Sequence, residues 1–408
     1  MVKFIHAADL HLDSPFKGLT DLSADILQQV KDSTFISLEA IVSQAIEQSV
    51  DFVLFSGDIY DLEDRSIKAQ LMFQKQMERL NDAAISAFVI HGNHDFVAKK
   101  ADHLSLPGNV KVFSEQIETL YIETKSNETV AVSGFSYYKK WIEERKIQAY
   151  PVKDKKSDYH VGMLHGYAEG QQNVHARYAP FSLSELREKN YDYWALGHIH
   201  ARQQLTDNPP VYYSGNTQGR HRNETGEKGV LLVSLSPTDK EVSFIPTAPI
   251  IWENLRLDVS QAKNLEETLK LTRDKLDMIQ FKRVIIHLTL EVSDELPSRT
   301  LDKLKQKEFR DILQSGDANQ FVYLSRIKVT IRKASDGSNS LSEMYPDGWR
   351  KAVDTLKSKE GFKDVTKELL QAPPFSDGLD EPTEDYLSEL VDDAVELIEY
   401  DISLNEGV

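Results

Sequence analysis

Five short apolar runs in this chain stop at polar clusters that add nothing to a core. They are AADLH with Asp9 and His11, LFSGDIY with Asp58, FVIHGNHDF with Asn93, His94 and Asp95, MLHGY with His165, and ALGHIH with His198 and His200. In extended chain, side chains two apart point the same way, so each D-x-H or H-x-H pair aims two groups at one spot. A glycine beside a turn lets the backbone bend closely around whatever those groups hold. The runs also set the order of elements. Strands over 3–8, 51–56 and 85–91 alternate with helices over 22–49 and 65–80, which favours a layered α/β core. Short strands follow over 130–133, 160–164, 193–196, 211–213, 230–233 and 242–245. Both halves are expected to place their sheets in one sandwich with outer helices.

Pooled, the strand ends offer two carboxylates, one amide oxygen and four imidazoles. The chain has no cysteine, which excludes disulfides, thiolate zinc sites and cysteine nucleophiles and suits a reducing cytoplasm. Mixed oxygen and nitrogen ligation suits two divalent ions of the Mn2+ or Fe2+ kind, sharing a carboxylate and activating water for attack on phosphorus. Any one of these short motifs is noise; the ordered set, each member after a strand, is not. Outside the set, His6 and His287 lie within strand patterns and read as packing residues. His103 and His160 read as surface residues, and His91 as a neighbour of the site.

The ordered set resembles the calcineurin-like metallophosphoesterase superfamily. Within it, the chain resembles the SbcD-type DNA repair exonucleases, and among these the bacterial YhaO group, to which HLDSPF after Asp9 and YAPFS at 178–182 are similar. The resemblance implies a metallophosphoesterase β-sandwich flanked by helices. It implies that Asp9, His11 and His200 hold one metal, that Asn93, His165 and His198 hold a second, and that Asp58 bridges them. The ions would be Mn2+, with Fe2+ or Mg2+ as alternatives. His94 would act on the transition state or the leaving oxygen, and Asp95 would fix the His94 tautomer. The pattern departs from such nucleases at Asp61, where a second non-ligand histidine usually stands. A carboxylate there would repel phosphate unless it points away.

Substrate contacts are expected from Arg220 and Arg222 in SGNTQGRHRNE, as phosphate grips, and from FSYYKKW. In that stretch Tyr137, Lys139 and Lys140 mix aromatic and cationic groups suited to unpaired bases. PTAP at 246–249 reads as a boundary. It divides a phosphoesterase domain over 1–248 from a small α+β capping and DNA-binding domain over 249–333. In that second domain helices are expected around 265–279 and 301–313, and strands over 284–292 and 321–331. SDGSNS at 335–340 reads as a linker, and a helical acidic region follows over 341–408.

The net charge is −17, but residues 371–408 hold 12 Asp and Glu and no Lys or Arg, so the preceding 370 residues carry only −5. In that tail Leu387, Leu390, Val391, Ala394, Leu397 and Ile398 form one apolar stripe at helical spacing. The stripe suits docking on its own domain, on a second copy of the chain, or on a coiled-coil ATPase of the SbcC or YhaN type, the partner that the resemblance implies. No apolar run is long enough to span a membrane, and the N-terminus does not read as a signal peptide. The function expected is therefore DNA phosphodiester cleavage in repair or end processing. The alternatives are a small-molecule or phosphoprotein phosphatase, and a catalytically weak scaffold that binds DNA ends and an ATPase.

Overall fold

A computed structural model describes the chain except residues 17–18, 20–21, 62–64, 97–102, 154, 170–177, 333–340, 371–386, 389, 393, 396–397 and 399–408. The linker expected at 335–340 and Leu397 of the acidic stripe lie outside the described residues. Two compact units are present, Met1–Thr330 and Ile331–Val408.

The first unit begins β1 (Val2–Ala7), α1 (Ala24–Glu47), β2 (Phe52–Ser56), α2 (Ile67–Asp82), β3 (Ser86–Ile90), β4 (Val110–Val112), β5 (Glu118–Glu123) and β6 (Thr129–Gly134). It continues with β7 (Tyr159–His165), α3 (Leu183–Glu188), β8 (Tyr193–Gly197), β9 (Gln203–Asp207), β10 (Pro210–Tyr213), β11 (Gly229–Leu235) and β12 (Lys240–Pro246). The remaining elements of the third sheet and its helices are β13 (Ile251–Asp258), α4 (Leu265–Leu276), β14 (Arg283–Ser293), α5 (Ser298–Leu304), α6 (Lys307–Leu313), β15 (Ser315–Gly316) and β16 (Phe321–Arg332).

One sheet runs β12-β11-β1-β2-β3-β4 and a second β5-β6-β7-β8-β10-β9. In the first, β1 to β4 are parallel; in the second, β6, β7, β8 and β10 are parallel. The period of two along each strand divides the core into layers. Phe4, Phe52, Leu54 and Phe88 meet Val132, Val161, Met163 and Tyr193 between the sheets. The alternate residues Ile5, Val53, Phe55 and Val89 pack under α1 and α2, against Phe35, Leu38, Ile41, Phe73 and Met77. Trp194, Leu196, Val211 and Tyr213 face outward from the second sheet onto Phe135, Tyr150 and Phe181. Ser23 and Ser66 cap α1 and α2 by accepting from the backbone N–H groups of Ile26 and Ala69.

The sandwich expected from sequence is present, with β4, β5 and β9 as additions, and the third sheet adds β13 and β15 to its two expected strands. The single helix expected over 301–313 is instead α5 and α6. The backbone is extended at Gln306 between them, and this lets Leu304, Phe309 and Leu313 all reach one core. The third sheet, β13-β14-β16-β15, has that core to itself. A further cluster of Phe16, Leu19, Val30, Ile250, Trp252, Phe321 and Tyr323 ties it to α1 and to the loop after β1.

Parallel strands all end on the same side, so β1, β2, β3, β7 and β8 deliver the five polar clusters to one edge. The loops there are joined by backbone bonds: Asp9 N–H donates to Gly57 O at 3.0 Å and His11 N–H to Asp58 O at 3.0 Å. Gly197 sits where a Cβ would collide with the Ser56 carbonyl and crowd His165 Nδ1. A Cβ on Gly92 would collide with the Asp58 carboxylate and the same imidazole. Only glycine fits both places.

His6 is fully buried between the sheets, with Nδ1 3.1 Å from Tyr193 Oη and Nε2 3.1 Å from the Leu196 carbonyl. Burial lowers its pKa from 6.5 to about 3.

Two expectations follow. Gly197→Ala loses about 2 kcal/mol or more in denaturant unfolding. Gly108→Ala, whose Cβ meets nothing within 4 Å, stays within about 0.5 kcal/mol of the parent. Below pH 6.5 the unfolded chain takes a proton at His6 that the fold refuses until about pH 3, so stability falls with pH across that window. The stability advantage of the parent over His6→Gln should therefore shrink by about 1 kcal/mol between pH 6.5 and 5.5. A constant difference across that range would show that His6 takes up protons equally in the folded and unfolded chain.

Candidate metal centre

Asp9, His11 and His200 bring one donor atom each within 4.8 Å of one another, and so do Asp9, Asp58 and His165. His11 and His200 point Nε2 at each other across 3.1 Å. Asp58 Oδ2 lies 3.8 Å from His11 Nε2 and 3.4 Å from His165 Nε2, between the two groups. Asn93 Oδ1 stands 3.0 Å from His165 Nε2 and 3.2 Å from His198 Nδ1. All seven residues named from the sequence as ligands thus converge.

The backbone at this edge is strained. Asp9, His11, Asp58 and His198 have φ of 52°, 45°, 50° and 98°. Left-handed backbone at non-glycine residues costs about 1–3 kcal/mol each and persists where the surroundings over-determine it. Here the surroundings bond both sides of the strained residues. Asp9 accepts the His198 N–H at 3.0 Å and Asp58 Oδ1 accepts the His94 N–H at 2.9 Å.

Asp9 and Asp58 are buried, at 0% and 1% exposure. Burial pushes the Asp9 carboxyl up, against the opposing pull of His200 and His165. Burial would raise Asp58 too, but His165, His94 and His11 hold it well below the usual carboxylate range. For His165, burial favours the neutral ring; the Asp58 carboxylate overcomes it and lifts the pKa to about 9. Buried carboxylates of this kind are stable when paired or bound to a metal. His165 Nδ1 lies 3.0 Å from the Ser56 carbonyl, which selects the Nδ1–H tautomer of the neutral ring; once the Nε2 proton is lost to make way for a cation, its lone pair would face Asn93 and Asp58. The donor set therefore fits divalent ions.

Some expectations are corrected. Asp95 does not hold His94: it accepts from the Gly92 and Ile59 N–H groups at 2.7 and 2.9 Å and lies 3.0 Å from His91 Nδ1. It braces the loop instead. His94 Nδ1 lies 3.1 Å from the Asp61 carbonyl oxygen. Tyr137 is 1% exposed, with its hydroxyl donating to the His165 carbonyl at 2.9 Å, so its ring is closed to a base. Arg220 is no open phosphate grip, because Nη1 pairs with Asp61 at 2.6 Å. Asp61 thus does not face a phosphate uncompensated. His160 is not on the surface but 2% exposed, stacked on Tyr191 at 3.7 Å. Lys139 and Lys140 are exposed, lying over Tyr138 and Trp141 respectively. Arg222 is half-buried, with its carbonyl accepting from Asn254 at 3.1 Å.

Two neighbours of the site were missed. Glu224 Oε1 lies 2.6 Å behind His200 Nδ1, and the Tyr178 ring lies 4.5 Å from that of His198. Both stand in stretches singled out for other reasons, and nothing local marks either as a partner of an imidazole.

Residues 2–202 match the family of calcineurin-like phosphoesterases. The uncharacterized metallophosphoesterase YhaO of Bacillus subtilis is 34% identical over 400 residues, 96% of this chain and 95% of that one. The DNA double-strand break repair protein Mre11 of Methanocaldococcus jannaschii is 25% identical over 294 residues, 69% of this chain and 76% of that one. Mre11 of Saccharolobus solfataricus is 25% identical over 307 residues, 71% and 75% of the two chains. With the family match, the full-length similarity and converging Asp, His and Asn donors in agreement, the chain belongs to the calcineurin-like metallophosphoesterases, hydrolases that bind divalent metals.

Proposed function

We propose that this metallophosphoesterase is a DNA phosphodiesterase of the SbcD and YhaO type, acting in repair or end processing. The observation that carries the reading is similarity to the Mre11 repair proteins over 69% of the chain, well beyond the residues 2–202 that match the catalytic family. A phosphatase core alone does not account for that reach. Residues 249–333 then act as the cap that faces DNA, over a phosphoesterase domain of residues 1–248.

In this reading Asp9, His11 and His200 hold one Mn2+, Asn93, His165 and His198 a second, and Asp58 is shared; Fe2+ and Mg2+ are the alternatives. Such a pair of ions, when bound, neutralises phosphoryl oxygens and makes water acidic enough to serve as a nucleophile. His94 is half-buried, its ring 5.0 Å from that of His11. With Nδ1–H donating to the Asp61 carbonyl, His94 keeps Nε2 for proton exchange with the leaving oxygen. Lys139, Lys140 and Arg222 supply phosphate contacts at the rim.

A docking role for the unit Ile331–Val408 belongs to the same reading, with an SbcC- or YhaN-like ATPase or a second copy of the chain as partner. The unit exposes Met344, Tyr345, Val365 and Ile398, while Leu387 and Val391 of the acidic stripe are buried. Asp392 pairs with Lys357 at 2.8 Å, so part of the stripe is held within the unit.

Labelled oligonucleotides and a phosphomonoester, each with Mn2+ and with Mg2+, test the substrate class. Metal-dependent cleavage of the oligonucleotides is expected; hydrolysis of the monoester alone would overturn the reading in favour of a phosphatase. His94→Ala should keep its metal content and DNA affinity while turnover falls about 10²–10⁴-fold. A parent-like rate with metals intact would remove His94 from the chemistry. Replacing Lys139, Lys140 and Arg222 by Ala should weaken DNA binding alike for all sequences and flatten the slope of log affinity against log salt.

A further inference from the structure

His11 and His200 share an arrangement, with a hydrogen bond behind the second and an ion-pair distance behind the first. Each turns Nε2 inward, where the two atoms stand 3.1 Å apart, and each has a carboxylate behind Nδ1. Asp61 Oδ1 is 3.2 Å from His11 Nδ1, and Glu224 Oε1 is 2.6 Å from His200 Nδ1. Arg220 joins the two carboxylates, with Nη1 2.6 Å from Asp61 Oδ1 and Nη2 3.6 Å from Glu224 Oε1. Its backbone N–H donates to Glu224 Oε2 at 2.7 Å, and Asn216 Nδ2 donates to the same oxygen at 2.9 Å. The other half of the site is supported differently. Behind His165 Nδ1 stands a neutral backbone carbonyl, that of Ser56 at 3.0 Å.

We propose that Asp61, Glu224 and Arg220 are positioning residues, a carboxylate–arginine–carboxylate bridge that fixes His11 and His200 and sets the affinity of the one metal those two imidazoles hold. At His200 the carboxylate accepts the Nδ1–H, leaves the Nε2 lone pair facing inward, and makes that nitrogen a stronger donor; at His11 the Asp61 carboxylate stands at ion-pair distance from Nδ1 and acts on the ring through its charge. Two carboxylates backing adjacent imidazoles repel each other, and the Arg220 guanidinium between them offsets that repulsion. The aspartate at position 61 thus turns its charge onto His11 and Arg220.

The inference rests on the reading that the centre holds two ions. Equilibrium dialysis of metal-free protein against Mn2+, with the bound-Mn2+ paramagnetic spectrum as a second readout, tests both. The parent should bind two ions. Asp61→Asn and Glu224→Gln should each weaken one site about 10–100-fold, the loss typical when a ligand's supporting partner is removed, and leave the other unchanged. Arg220→Met should weaken the same site, and Arg220→Lys should restore part of the affinity by returning a cation to the bridge. Parent-like binding at both sites in Asp61→Asn and Glu224→Gln overturns this inference alone. So does an equal loss at both sites with a lower unfolding temperature in chelator, which marks a merely structural role. A parent that binds fewer than two ions overturns the two-metal reading and the inference with it.

Discussion

The candidate metal edge depends on the sealing of two carboxylates, Asp9 and Asp58, beyond the ends of neighbouring parallel strands. Ionised carboxylates out of water cost several kcal/mol each unless paired or bound to a cation. Four imidazoles and an amide surround them, and the backbone takes left-handed conformations to aim them inward. That arrangement stores unfavourable electrostatics and strain in the metal-free fold. Divalent cations relieve the electrostatic part, so metal binding and the stability of this edge are one linked equilibrium.

The sandwich makes such an edge tolerable. Between the sheets Phe4 stacks on Phe52 at 4.8 Å, and Phe52 meets Phe88 edge-on at 5.7 Å. β1, β2 and β3 therefore cannot slide independently, and a one-residue slip would turn every one of these rings out of the core. Register fixed in the core is register fixed at the strand ends, a few residues away. Glycine at positions 92 and 197 then lets the loops close onto His165 without displacing it.

Much of this was legible in the sequence because it has a period. Strands expected over 130–133 and 160–164 are observed over Thr129–Gly134 and Tyr159–His165, and the polar clusters stand where the strand periods stop. Other features carry no period. β9 is an exposed edge of polar residues, QQLTD, and nothing in its composition marks it as a strand. Tyr137 looked available because it sits among Lys and Trp, yet its hydroxyl finds the His165 carbonyl and the ring goes inward. Glu224 and Arg220 were visible only as part of a basic, glycine-bearing loop. Their partners, His200 and Asp61, are 24 and 159 residues away along the chain, and pairing at such distances is a property of the fold.

Asp61 shows how a local conflict in sequence can be resolved by a distant residue. Taken alone, a carboxylate three positions after the buried Asp58 opposes an anionic ligand. In the fold it lies 3.2 Å from an imidazole and 2.6 Å from a guanidinium. Burial would raise its pKa, yet His11 and Arg220 hold it at about 2. The group stays charged but is spent on its neighbours, so its field at a bound phosphate is that of a neutralised pair. The same pairing occupies Arg220, whereas Lys139 and Lys140 stand exposed, the first 3.2 Å from Glu144. The charge at position 61 that looks hostile to an anion is thus matched within the fold by Arg220.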